Sequence, residues 1–141
     1  MSERIDQFCE NLRVKLTSID NEMQSLKAKI DSKVTTAGQD VQTHLNAVKK
    51  RIEQDRAKVT AAQNEMKKWM EERKSATREK IAEWKAKLEK AKLQSWADGA
   101  ERYAAAAAIV ALTAVEEAEQ AALEAWLARR EADSAQGTKA A

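Results

Sequence analysis

Residues 8–62 read FCENLRVKLTS, IDNEMQSLKAK, IDSKVTTAGQD, VQTHLNAVKKR and IEQDRAKVTAA, which are five consecutive blocks of eleven residues. Each block opens on an apolar side chain, namely Phe8, Ile19, Ile30, Val41 and Ile52. Eleven residues make three helical turns at about 3.67 residues per turn, so residues that recur at this spacing stay on one face of a helix. The repeat therefore predicts a long amphipathic helix.

The composition agrees with a helical protein. The chain has 141 residues, no proline, three glycines and 4% aromatic residues, so it lacks the turn residues of sheet proteins. Charged residues make up 34% of the chain and alanine is abundant, as is typical of long helices and coiled coils. We therefore predict an all-α fold, an elongated coiled-coil rod that ends in a C-terminal antiparallel helical hairpin.

The rod is predicted to be one long amphipathic helix over residues 3–96, with a heptad-like apolar spacing after about residue 63. Gly38 is the weak point of its first part, because glycine costs a helix roughly 1 kcal/mol relative to alanine. The apolar spacing keeps its phase through Gly38, which favours a bend in a continuous helix. A turn at Gly38 stays open as the alternative.

A change of composition marks the predicted turn of the hairpin. Asp98 and Gly99 precede an alanine-rich segment, and both residue types are common where one helix ends and the next begins. We predict a second helix over residues 100–134 that folds back along residues 62–96. One stripe of this helix carries Tyr103, Ala107, Val110, Ala114, Ala121 and Ala125.

The charges of the two arms support this fold-back. Residues 49–92 hold 15 basic and 8 acidic side chains, whereas residues 97–141 hold 4 and 8, so the arms carry opposite excess charge. Antiparallel pairing around the turn would bring Trp126 beside Trp69. The small-residue tail over 135–141 is predicted to fray.

The apolar face of the rod is predicted to be a self-association surface, because a single chain of this shape cannot cover it. Its members are Phe8, Leu12, Ile19, Met23, Leu26, Ile30, Val34, Val41, Leu45, Val48, Ile52 and Val59. The predicted seam of the hairpin consists of Trp69, Ile81, Trp84, Leu88, Tyr103, Val110, Leu112, Val115 and Trp126. Whether the last helix packs on its own chain or on a second copy stays open.

The sequence offers few residues for chemistry. His44 is the only histidine, and Asp40 lies one helical turn before it, a spacing that is common on helix surfaces. The chain has no glycine-rich phosphate loop, no GxSxG motif and no Cys-His-Asn set. We therefore predict a non-enzymatic protein with no catalytic residue, no cofactor and no metal site.

Three features favour a cytoplasmic location. The N-terminus carries acids where a signal peptide has an apolar core. The longest apolar run, residues 103–115, is shorter than the roughly 18 to 20 residues that span a bilayer. Cys9 has no second cysteine to pair with, so we predict a reduced thiol that packs beside the apolar stripe.

The eleven-residue repeat over residues 8–96 resembles the exchangeable apolipoproteins, the late-embryogenesis proteins and the phasins of polyester granules. The alanine-rich final helix also resembles that of small bacterial stress-response coiled-coil proteins. Apolipoproteins usually carry prolines between their repeat units, and the absence of proline here favours a straight rod over a lipid-wrapping role.

These features lead to three function hypotheses. The first is a scaffold that self-associates as a homodimer and serves a structural or stress-related role. The second is an amphipathic coat on membranes or storage granules, in which the apolar stripe is buried in lipid. The third is nucleic-acid binding through residues 49–92; the acids interleaved there favour salt bridges over a phosphate track and make this partner the least expected.

Overall fold

The structure, a computed structural model, describes the backbone of residues 3–31 and 37–140 and the side chains of residues 3–31 and 38–135. Its helices are α1 (Glu3–Asp31), α2 (Ala37–Ser75), α3 (Arg78–Ala86) and α4 (Lys90–Ala140). These ranges contain no strand, so the prediction of an all-α fold is confirmed. Over the same ranges, none of the helices combines the length and the apolar character needed to cross a bilayer.

The chain divides into two compact units, each built from segments that are distant in sequence. Unit 1 comprises Met1–Asn11 and Arg56–Leu112, and unit 2 comprises Leu12–Asp55 and Thr113–Ala141. Helices α1, α2 and α4 therefore each contribute one part to the interior of unit 1 and another part to the interior of unit 2.

Aromatic rings fill the interior of unit 1. The ring of Trp69 on α2 lies 4.6 Å from the ring of Trp96 and 6.3 Å from that of Tyr103, centroid to centroid. Glu72, later on α2, lines one cavity with Trp96. Later residues of α2 thus meet earlier residues of α4, so the two helices pack antiparallel within unit 1.

The connection from α2 to α4 runs through the short helix α3. Thr77 caps the start of α3, since its side-chain oxygen accepts a hydrogen bond from the Lys80 backbone N–H at 3.2 Å. Leu88 lies in the turn that follows α3, with a φ of 54° and 85% of its surface exposed. A left-handed conformation costs a leucine about 1–2 kcal/mol. The turn before α4 therefore lies at Leu88, ten residues before the position that the sequence predicted.

The predicted turn at Asp98 and Gly99 is wrong, because α4 runs through both residues. A Cβ atom on Gly99 would lie only 2.6 Å from Cζ3 of Trp69. Gly99 thus allows a large ring to approach the helix backbone closely, a role that glycine fills as readily as a turn. The predicted single helix over residues 3–96 is also wrong, and the backbone predicted to fray from residue 135 continues α4 to Ala140.

Helices α1 and α2 pack antiparallel in unit 2. Glu22 on α1 contacts Arg51 on α2, while Lys29 and Asp40 line a common groove nearer the adjoining helix ends. The prediction of a continuous helix through Gly38 is therefore wrong. The prediction relied on the constant phase of the apolar spacing through Gly38. That phase does not exclude a turn, because both helices of a hairpin also need an apolar face. Residues 32–36, which include the predicted stripe member Val34, lie outside the described residues.

Helix α4 completes unit 2 by packing antiparallel to α2. Gly38 at the start of α2 lies beside Arg130, late on α4. The core of the unit consists of Leu26, Val41, Leu45, Val48 and Leu123. Val41 and Val48 are fully buried, and each such side chain stabilises the fold by about 1.5–3 kcal/mol relative to exposure.

Candidate functional site

Most of the predicted self-association stripe lies in the interior of unit 2. Leu26, Val41, Leu45 and Val48 are core residues, and the side chains packed against them are Met23, Ile30 and Ile52. The remaining described members, Phe8, Leu12, Ile19 and Val59, are half-buried. The expectation that a single chain cannot cover this stripe is therefore wrong for its central part, because α1, α2 and α4 cover one another there.

The predicted hairpin seam is only partly an interior surface. Trp69 is buried, and the half-buried members are Ile81, Trp84, Tyr103, Val110, Leu112 and Trp126. Leu88 and Val115 are exposed, contrary to the prediction. Trp69 packs on Trp96 and Tyr103, while Trp126 packs on the core of unit 2, so these contacts replace the predicted Trp69–Trp126 pair.

Charged side chains also occupy the interior of unit 2. Glu116 and Glu119 are only 2% and 5% exposed, and they lie three residues apart on α4. Residues at this spacing share a helix face, and here the face is the one that brings Leu123 into the core. Carboxylates are rarely buried to this extent without a partner.

Each buried carboxylate faces a cationic or imidazole group. His44 Nε2 lies 2.5 Å from Glu119 Oε1, and Lys15 Nζ lies 3.5 Å from Glu116 Oε1. The Arg51 guanidinium donates two hydrogen bonds to Glu22, at 3.1 Å to Oε1 and 3.2 Å to Oε2. We call these six residues the polar cluster.

Hydrogen bonding to Glu22 raises the pKa of Arg51 above its usual value, and the nearby charges of Glu22, Glu116 and Glu119 act in the same direction. Burial opposes this shift, because it disfavours the charged guanidinium. Arg51 is therefore held as a cation beside three carboxylates.

The polar cluster is not fully satisfied. Among the described residues, Oε2 of Glu116, Oε2 of Glu119 and Nε of Arg51 are buried and have no hydrogen-bond partner. Buried polar atoms of this kind cost about 1–3 kcal/mol each when unpaired, and more when charged. Imidazole nitrogen and carboxylate oxygen are both metal ligands and proton acceptors, so the cluster has the chemistry to hold a cation.

The outward side of α4 in unit 2 presents a second feature. Seven alanines at alternating steps of four and three residues are exposed there: Ala114, Ala118, Ala121, Ala125, Ala128, Ala132 and Ala135. We call this set the alanine face. Val115, which is 40% exposed, and Ala122 extend it on one side. Steps of three and four are the heptad spacing of helices that pack against other helices.

Sequence reasoning missed the polar cluster and assigned the alanine face to the wrong side of the helix. The predicted stripe counted Ala114, Ala121 and Ala125 as interior, but these alanines are exposed. The side chains that face inward are Leu112 and Trp126, which the predicted seam included, and Leu123, which it did not. A usable signal was present, because Glu116 and Glu119 continue the spacing of Leu112 and Leu123. Acidic residues on the same helix face as large apolar side chains indicate buried charge.

Comparison of the chain with protein-family models, curated proteins and solved structures finds no match. Functional meaning therefore has to come from the alanine face and the polar cluster themselves.

Proposed function

We propose that this protein is a non-enzymatic structural module of the cytoplasm that associates with a second copy of itself through the alanine face of α4. One observation carries the proposal. From Ala114 to Ala135 the outward heptad positions of α4 are all alanine, and all are exposed. Exposed apolar surface that is contiguous over several turns is typical of interaction sites.

Alanine side chains suit a second helix in particular. Small side chains let two helices approach at the short end of the roughly 8–10 Å range of interaxial distances. The alanine face is about 32 Å long at 1.5 Å per residue, so a partner helix of similar length could lie along it. A second α4 offers a surface of equal length and the same flatness.

The charges that flank the alanine face favour a parallel pair. Glu117, Glu124 and Glu131 line one edge of the face, and Arg129 lies on the other edge. In a parallel pair, opposite edges meet, so Glu124 would face Arg129 of the second copy five residues further on. In an antiparallel pair, like edges meet and the glutamates would face one another. Each exposed ion pair contributes only about 0.2–1 kcal/mol, so charge selects the orientation more than it sets the affinity.

The expected dimer is weak. A face of this length and about 10 Å wide offers on the order of 300 Å² per copy, which lies below the range of stable interfaces. We therefore expect a dissociation constant on the order of 100 µM for the isolated protein. Such an affinity suits assembly at high local concentration.

Sedimentation equilibrium of the full chain over roughly 10 µM to 1 mM tests the proposal. The wild-type chain should shift from monomer towards dimer across this range. Ala121→Glu places a charge at the centre of the alanine face and should abolish the shift, because an unpaired buried charge is costly. Ala57→Glu, a like change at an exposed position of unit 1, should dimerise as the wild type does. A wild-type chain that remains monomeric at 1 mM would refute the proposal.

The two other function hypotheses have less support. A lipid coat was expected to bury Val41, Leu45 and Val48 in the membrane, but these residues pack against Leu123 inside unit 2. Nucleic-acid binding was expected to use the basic side chains of residues 49–92. Several exposed lysines there have acidic partners, among them Lys74 with Glu71, Lys87 with Glu83, and Lys92 with Glu89. Such pairs favour the reading of a solvated helix face.

A further inference from the structure

Three helices of unit 2 bring metal-ligating side chains together at one point of the polar cluster. Glu22 on α1, His44 on α2 and Glu119 on α4 each offer a ligand atom, and these atoms all lie within 4.8 Å of one another. We propose that His44 Nε2 and one carboxylate oxygen from each of Glu22 and Glu119 bind a divalent cation of the Zn²⁺ class. The sequence predicted no metal site because these three residues are far apart along the chain.

The charge of the polar cluster favours a bound cation. Its carboxylates are Glu22, Glu116 and Glu119, and its permanent cations are Arg51 and Lys15. With a neutral imidazole, one negative charge is left without a counter-charge inside a largely buried site. Since an uncompensated buried charge is strongly unfavourable, the site gains free energy from any cation that reaches it.

The unpartnered oxygen of Glu119 points to the same conclusion. The Glu119 side chain is 3% exposed and meets His44 through Oε1, while Oε2 has no hydrogen-bond partner among the described residues. A carboxylate buried this deeply normally satisfies both oxygens. A cation shared with His44 would supply the missing interaction.

The set of donor atoms indicates which cations fit. One imidazole nitrogen with two carboxylate oxygens suits Zn²⁺, Co²⁺ and related ions, whereas Ca²⁺ and Mg²⁺ prefer oxygen alone. Zinc–ligand distances of about 2.0–2.2 Å place neighbouring ligand atoms roughly 3.3 Å apart in a tetrahedral site. To reach this geometry, the 2.5 Å contact between His44 and Glu119 would open slightly and the longer separations would close.

The surroundings supply orientation and access. Arg51 fixes Glu22 through two N–H groups, and each Glu22 oxygen keeps a lone pair for a metal. Glu22 and His44 also line a groove of about 530 Å³ between α1 and α2, which gives an ion a route from solvent. Because the three ligands come from three helices, a bound ion would clamp α1, α2 and α4 together.

A proton is the natural rival to a metal ion. Protonated His44 would supply one positive charge, which balances the excess negative charge, and would form an ion pair with Glu119. The two cases differ in what they require, since a proton needs no added ion and a metal gives a saturable, stoichiometric response. His44 is the only histidine, so its ring signals report this site alone.

The test uses the full chain, free of any affinity tag and carrying Cys9→Ser, because Cys9 is an exposed free thiol that could bind metal elsewhere. Co²⁺ is titrated at neutral pH while visible absorption, the melting temperature and the NMR signals of the His44 ring are followed. We expect d–d bands and a rise in melting temperature that both saturate at one ion per chain, with the ring signals lost or shifted in step. Diamagnetic Zn²⁺ should displace Co²⁺ and erase the bands.

Two variants and a control complete the test. Both His44→Gln and Glu119→Gln should weaken Co²⁺ binding at least about 100-fold, since loss even of a group that merely orients a ligand costs about 10–100-fold. Two substitutions keep the test valid if one variant fails to fold. Asp133→Asn, which changes an exposed carboxylate on the same helix, should bind as the parent does.

Either of two results would overturn the proposal. One is the absence of saturable binding below about 1 mM Co²⁺ with His44 ring signals that respond only to pH, which would assign the site to a proton. The other is an equal metal response in His44→Gln and the parent, which would place the ion elsewhere.

Discussion

The two units fill their interiors in opposite ways. Unit 1 packs Trp69 against Trp96, Tyr103 and the backbone at Gly99, with Ala62 and Ala106 buried alongside. Unit 2 has an aliphatic core and, beside it, buries the carboxylates of Glu116 and Glu119. Aromatic side chains stabilise an interior through the apolar area that they bury and through close packing. A buried charged group is tolerated only when it has its own partner of opposite charge or a hydrogen-bond partner. Buried charge is costly and seldom needed for folding, and this is why the proposed cation site is placed in unit 2.

The largest effect is expected from removing the central ring of unit 1. Trp69→Ala should lower the free energy of unfolding by about 3–5 kcal/mol, because it deletes a large buried side chain and leaves a cavity. Met70→Ala, at a neighbouring residue that is 56% exposed, should cost far less. Chemical denaturation measures both. Equal losses would mean that Trp69 is not a core residue.

A loss nearly as large is expected in unit 2 when one charge of the polar cluster is removed. Arg51→Leu should destabilise the fold by about 3 kcal/mol, since it leaves Glu22 without its hydrogen-bonded cation and removes a positive charge near the buried Glu116. Lys49→Leu breaks only the exposed pair with Glu124 and should cost less than about 1 kcal/mol.

A second substitution sharpens this test. Adding Glu116→Gln to Arg51→Leu should recover part of the loss, because it removes a buried negative charge that the charge of Arg51 no longer helps to balance. Additive losses in the double variant would show that the two side chains do not interact.

A smaller difference in stability is expected between alanine substitutions at Gly99 and Gly38, which both lie in helices. Gly99→Ala should destabilise unit 1 by about 1–3 kcal/mol, because the new Cβ would lie 2.6 Å from the rigid Trp69 ring. At Gly38 the close atom is the end of the flexible Arg130 side chain, which can move away. Gly38→Ala should therefore be neutral or stabilising by up to about 1 kcal/mol, the helix preference for alanine. Thermal unfolding of both variants checks the contrast, which fails if both destabilise equally.

The smallest effect concerns an exposed carboxylate of unit 2. The hydrogen bond from Gln120 lowers the pKa of Glu124, and the charge of Lys49 acts in the same direction. Its contribution to stability is therefore present above the unfolded pKa of about 4.3 and is lost as the pH falls through the folded pKa. An NMR titration should find the Glu124 midpoint below that of an ordinary glutamate, and Gln120→Ala should move the midpoint upward. An unchanged midpoint would exclude the hydrogen bond as the cause.

The sequence predicted the helical content well and the turns poorly. Composition and apolar spacing identify helices because each depends on local preference and on one buried face. The turn before α4 has a weak sequence signal. Its left-handed residue is Leu88, whereas glycine is the residue that usually adopts this conformation. Gly99, the residue most suggestive of a turn, sits inside a helix to make room for Trp69. Only the packed structure distinguishes these uses of glycine.

The alanine face and the polar cluster were harder to predict for a different reason. Alanine counts as apolar in any analysis of periodicity, yet the residues of the alanine face are exposed while the larger Leu112 and Leu123 face inward. The polar cluster depends on contacts such as that between His44 and Glu119, 75 residues apart. A single sequence does not indicate which residues so far apart along the chain are in contact.

Cysteine crosslinking tests the central claim most directly, because it reports which part of α4 meets the second copy. In a Cys9→Ser background, Ala121→Cys places the only thiol at the centre of the alanine face, and Ala57→Cys serves as the exposed control in unit 1. Under mild oxidation at about 100 µM protein, near the expected dissociation constant, Ala121→Cys should form a disulfide-linked dimer much faster than Ala57→Cys. That outcome requires residue 121 of the two copies to lie side by side, as a parallel pair through the alanine face demands. Equal, slow crosslinking of both variants would contradict the claim that this face joins two copies.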